Sequence, residues 1–187
     1  AQGKKVYFSK GNLTYNVSTS SWAFYEHQYD CATAYDANLI SLFTWGYDAA
    51  KSIVPDGTGY VEGHTTDGET FSKGEDWGYI FGGESSVWRT LSNDEWMYLL
   101  NERIVNDVDK DGKGTSYSLN ITYGGKMGIV LYPDDYTGSV LSGTVESLPE
   151  GVVFLPSAGY RYGFKVGNAV FAFCRDRDFV IRRAYHA

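Results

Sequence analysis

The sequence predicts a single α+β domain over residues 1–187. One or two short helices should flank a twisted, mostly antiparallel sheet, with a long loop region over residues 47–87. Three observations carry this expectation. Residues 88–100 hold one strong helix signal. Aromatic residues make up 17% of the chain and glycines number 22, with few long periodic runs, so short strands joined by many turns are expected. Residues 127–132 and 152–155 are almost continuously apolar, as central buried strands are. A chain of 187 residues suits one domain and can bury about 70% of its unfolded surface.

Residues 4–25 read as a β-meander. Val6 and Phe8 alternate with Lys5, Tyr7 and Ser9, and Leu13 and Tyr15 with Thr14 and Asn16. Lys10-Gly11-Asn12 and Ser18-Thr19-Ser20-Ser21 are turn material. Trp22 and Phe24 fit a strand or a helix. His27 has no second His or Cys at metal-ligand spacing, so it is expected to be a satisfied, partly buried histidine. Leu39, Leu42 and Phe43 recur at i, i+3, i+4 and suggest a short helix over 36–46, ended by Trp45-Gly46. Residues 47–87 are rich in glycine and polar residues and show no hydrophobic period. A loop of that length is usually functional or mobile, and its lone His64 reads as solvated.

The strong helix is expected from Asn93 to Glu102 or Arg103. Ser92 suits the N-cap and Glu95, three residues on, completes a capping box. Asp94 and Glu95 place negative charge at the positive end of the helix dipole. Trp96, Leu99 and Leu100 give one apolar face, and Trp88 should pack beside it. These features describe a core helix, not a catalytic one.

Asn106-Asp107-Val108-Asp109-Lys110-Asp111-Gly112 follows. Asp107, Asp109 and Asp111 match the front half of a calcium loop, in which alternate carboxylates turn inward. Ser118 stands where the bidentate Glu belongs. The expectation is therefore a charged surface turn without metal, with calcium as the alternative. No other cofactor is expected. Residues 117–132 hold two strands, Pro133-Asp134-Asp135-Tyr136 a turn, and 152–155 a further strand stopped by Pro156. Residues 169–174 and 179–185 are β-rich runs separated by Arg175-Asp176-Arg177-Asp178, the pattern of a hairpin.

Several function classes are set aside. A net charge of −7 and a pI near 4.9 do not make a general nucleic-acid surface, which needs clustered Lys and Arg. No apolar run approaches the ~20 residues that span a bilayer. Cys31 and Cys174 form no Cys-x-x-Cys motif. They read as separate buried thiols, or as a single disulfide in an oxidising compartment. Asn12, Asn16 and Asn120 open N-glycosylation patterns but read as polar strand and turn residues. There is no nucleophile elbow, no His-Glu-x-x-His and no phosphate-binding loop. A carboxylate pair such as Glu95 with Asp76 is formally available, but Glu95 is explained by its cap and Asp76 by its loop. No enzyme is expected.

Trp88-Arg89, a short turn, then Glu95-Trp96 on a helix resembles the signature of sulfatase-modifying-factor domains, which have a C-type-lectin-like fold. The resemblance is closer to a group of secreted Bacteroidetes proteins related to them. The shared phrases are Val6-Tyr7-Phe8-Ser9-Lys10-Gly11-Asn12-Leu13, Leu42-Phe43-Thr44-Trp45-Gly46, Asp76-Trp77-Gly78 and Val153-Phe154-Leu155-Pro156-Ser157-Ala158-Gly159-Tyr160-Arg161. Their order is kept over nearly the whole chain. The family's aromatic-serine phrase after Tyr160-Arg161 and its last Val-Arg strand are not clear here. The resemblance implies a C-type-lectin-like domain, bacterial, extracellular or at the cell surface, with an export signal or lipid anchor removed before Ala1-Gln2-Gly3. Formylglycine-generating enzymes use a close cysteine pair near the C-terminal end. Cys31 and Cys174 do not match it, so that activity is not carried over. Neither Glu-Pro-Asn nor Gln-Pro-Asp, the calcium-dependent sugar-binding phrases, occurs.

The leading expectation is a non-enzymatic module that binds a protein or glycan. The alternatives are a diversity-generating-retroelement target protein with a variable C-terminal surface, and a divergent enzyme of the sulfatase-modifying-factor family. Residues 166–187 lack Lys, Glu, Gln, Met and Trp. Every type present there can be encoded by a codon ending in a pyrimidine, as randomised Asn codons would produce. The expected contact residues are Phe171, Phe173, Arg175, Arg177, Phe179, Arg182 and Tyr185, aromatic and arginine side chains of the kind that form binding hot spots.

Overall fold

The computed structural model describes residues 6–34, 36–41, 77–91, 93–103, 105, 116–157, 160–162 and 165–167. These form an α+β arrangement of three small sheets, mostly antiparallel, and two short helices. The first sheet has the order β2-β1-β3, with β1 at Leu13–Asn16, β2 at Ser21–Phe24 and β3 at Leu39–Ile40. Asn16 shapes the β1–β2 turn. Its Oδ1 accepts from Ser18 Oγ at 2.7 Å and from the Thr19 N–H at 3.1 Å, an Asx-type turn, and Ser20 takes φ 51°. The buried residue of β1 is Thr14, not Leu13 or Tyr15. Its hydroxyl donates to the Ala23 carbonyl at 3.0 Å, which removes the penalty of burying it.

Two N-terminal expectations need correction. Residues 6–9 form no strand; Phe8 instead lays its ring near Trp96, with centroids 6.1 Å apart. The helix expected over 36–46 is replaced at its start by β3, which pairs antiparallel with Tyr15 and Asn16. Asp36 Oδ1 accepts the Asn38 N–H at 2.7 Å, and this local turn competes with helix initiation. Residues 42–46 lie outside the described set.

The second sheet has the order β6-β4-β5-β7. Strand β4 (Tyr117–Tyr123) and β5 (Lys126–Leu131) form a hairpin. Gly124 and Gly125 connect them at φ 56° and 74°, the positive values a tight type I′ turn requires. β7 (Val153–Pro156) pairs with β5 antiparallel, and β6 (Thr144–Val145) pairs with β4 parallel. A bulge between Ser118 and Ile121 places Asn120 at φ 56°.

The apolar run of β5 is explained by cover on both faces. Val130 and Tyr132 join Val105, Ile121, Tyr136, Val152 and Phe154 in one core cluster. Ile129 and Leu131 join Leu100 in another, packed by Trp96, Tyr117, Leu119, Val153 and Leu155. Residues 152–155 alternate between the same two clusters, so period-2 alternation is present but hidden. Burying each such side chain contributes about 1.5–3 kcal/mol. Within the first cluster the Tyr132 hydroxyl accepts the Leu141 N–H at 2.7 Å and shares a 2.7 Å hydrogen bond with Ser118 Oγ. Tyr136 stacks on Tyr132 with centroids 4.6 Å apart, and burial first, Tyr132 second, pushes its hydroxyl pKa up.

Helix α1 spans Trp77–Gly82 and runs into a 3-10 turn at Gly83–Ser85. This corrects the reading of 47–87 as loop throughout; residues 47–76 lie outside the described set. Gly78, one of the glycines of the stretch expected to be loop, meets a close backbone approach. A Cβ there would collide with the Trp88 carbonyl, so glycine lets two backbones meet. Helix α2 spans Asn93–Met97 and continues as a π turn over Tyr98–Glu102. The expected span 93–102 therefore holds, but its second half is wound more widely, closed by Arg103 N–H donating to the Tyr98 carbonyl at 2.9 Å. Leu99 and Leu100 are both buried. Ser92 lies outside the described set. The Glu95 carboxylate pairs with Arg89, Nη1 donating to Oε2 at 2.5 Å and Nη2 to Oε1. A third, two-stranded sheet joins β8 (Tyr160–Tyr162) to β9 (Lys165–Gly167).

Candidate ligand-binding surface

The β1–β2 hairpin sorts its side chains by alternation. Ser21 and Ala23 are exposed, while Trp22 and Phe24 are half-buried. Tyr15 lies opposite Trp22 in register, with ring centroids 4.6 Å apart. Phe81 of α1 meets both strand aromatics, at 6.3 Å from Trp22 and edge-on at 5.6 Å from Phe24. Trp88 adds its ring at 5.0 Å from Phe24. Offset and edge-on pairs of this kind are the favoured aromatic geometries. Trp88, expected beside α2, has its ring against Phe24 of β2.

The segment after α1 is held in place by small polar contacts. Ser86 N–H donates to the Gly83 carbonyl at 3.1 Å. Ser86 Oγ accepts the Trp88 N–H at 3.1 Å and donates to the Trp88 carbonyl at 3.2 Å. Arg89 and Glu95 then tie the segment to α2. The result presents Val87 at 90% exposure and, next to it in the chain, Trp88 at 37%; the Trp88 ring joins the half-buried rings of Phe81 and Trp22 through Phe24. Those five side chains carry no titratable group. They offer apolar and π contact, not acid–base chemistry.

A second cluster lies in the loop after β2. His27 is exposed, which corrects the expectation of a partly buried residue. It stacks on Tyr29 with centroids 4.8 Å apart and planes 9° from parallel, and its Nδ1 is 3.3 Å from Asp30 Oδ2. Tyr29 meets Tyr123 edge-on at 4.9 Å. Its hydroxyl pKa is raised, by desolvation first and then by Asp30, Tyr123 and Glu26. Asn12 Nδ2 donates to the Asp30 carbonyl at 2.7 Å, and Gln28 Oε1 accepts the Phe154 N–H at 2.7 Å. The cluster is a fastening between the first two sheets. Among the described residues, no group of three His, Cys, Asp or Glu side chains could hold a metal ion.

Phe171, Phe173, Arg175, Arg177, Phe179, Arg182 and Tyr185 lie outside the described residues, as do Asp107, Asp109 and Asp111, and also His64, Asp76 and Cys174. Cys31 is half-buried, and its thiol has no disulfide partner among the described residues. Among the described residues, no helix is long and apolar enough to cross a membrane. The aromatic ledge itself was missed in the sequence. The alternation in Ser21-Trp22-Ala23-Phe24 was a usable signal for half of it. Phe81 gave none, because it sits in a glycine-rich stretch.

No family model matches the chain, and no curated protein or solved structure matches it either.

Proposed function

We propose that this chain is a non-enzymatic binding module of C-type-lectin-like type, working outside the cell or at its surface on a protein or glycan ligand. The aromatic ledge of Trp22, Phe24, Phe81, Val87 and Trp88 carries this reading. A partly exposed apolar cluster with a tryptophan at its rim suits the centre of a recognition surface. The phrases shared with the secreted sulfatase-modifying-factor relatives support the fold and the location.

The test compares the wild-type chain with Val87→Asp/Trp88→Ala. Both are applied to an immobilised glycan panel and to a library of displayed peptides. The double variant should keep its melting temperature and lose the binding that the wild type shows. Equal binding by both proteins would move the ligand site elsewhere, and the panel that responds separates glycan from protein.

A second reading, that of a diversity-generating-retroelement target protein, rests on the residue types of 166–187, all of which codons ending in a pyrimidine can encode. On it, Phe171, Phe173, Arg175, Arg177, Phe179, Arg182 and Tyr185 form the variable contact set. Sequencing the gene across a population tests it. Substitutions should cluster in these codons, at positions that are adenines in a template copy; an invariant segment would refute it.

A further inference from the structure

We draw no further inference here: the strongest candidate, the aromatic ledge between the β1–β2 hairpin, α1 and residues 86–88, belongs to the site already described, and nothing in the structure shows what covers it.

Discussion

Gln28 and Phe154 are joined by a 2.7 Å hydrogen bond between a side-chain carbonyl and a backbone N–H, across 126 positions of sequence. β7 is an edge strand of its sheet, and unpaired edge groups invite unwanted strand pairing. Gln28→Ala should cost about 1–3 kcal/mol, the penalty for orphaning a part-buried donor. Urea unfolding gives the stability, and hydrogen exchange reads the Phe154 amide directly. Unchanged protection of that amide would show that Gln28 does not hold it.

Trp96 separates packing from capping in α2. Trp96→Ala should cost about 3–5 kcal/mol, because its ring packs with Phe8 against the Leu100–Ile129–Leu131 cluster. Ser92→Ala should cost only about 1 kcal/mol, the usual value of a lost N-cap. Trp96→Phe should lie well below Trp96→Ala, since the indole N–H is buried without a hydrogen-bond partner among the described residues. Thermal melts of the three variants decide it. Trp96→Ala no worse than Ser92→Ala would remove Trp96 from the core.

The Tyr132 hydroxyl serves two partners, Ser118 Oγ and the Leu141 N–H. Tyr132→Phe keeps the ring stacked on Tyr136 but strands both, and about 1–3 kcal/mol should be lost. Ser118→Ala in the Tyr132→Phe background should then add little. A double-mutant cycle with additive losses would contradict the shared hydrogen bond.

Calcium should bind weakly or not at all at Asp107, Asp109 and Asp111, because the bidentate carboxylate that completes such a loop is replaced by Ser118. In the structure Ser118 is buried and bonded to Tyr132, which commits its hydroxyl to the core. Calorimetric titration checks this. Tight binding that disappears in Asp109→Ala would make the loop a structural metal site.

The central sheet was legible because its residues satisfy local and global demands together. The apolar runs at 128–132 and 152–155 needed cover on both faces, and both faces have it; Met127, at the hairpin end of its run, is exposed. Helix α2 was legible from its acidic first turn and its Trp96–Leu100 spacing. The π winding over Tyr98–Glu102 was not, because the spacing of Trp96, Leu99 and Leu100 fits an ordinary α-helix equally well. β3 was misread because a two-residue strand is too short to show a period, while Leu39, Leu42 and Phe43 happen to fit a helical one. α1 was hidden by Gly78 and Gly82, which look like breakers; Gly78 instead answers to the Trp88 backbone, a neighbour that spacing alone does not reveal. The ledge was half legible for the same reason, since two of its rings lie on one strand and the others arrive from a separate segment.

The turn at Gly124-Gly125 bears on the order in which the molecule comes together. It closes a hairpin between Tyr123 and Lys126, so almost no chain entropy stands between the unfolded segment and its first pairing. The fastening of Gln28 to Phe154 must instead close a loop of more than a hundred residues, and contacts of that range form slowly. The β4–β5 hairpin is thus expected to be in place before the N-terminal sheet docks, and Tyr29 to settle over a Gly124 surface that already exists. Losing the fastening should then show chiefly as faster unfolding, with the refolding rate little changed.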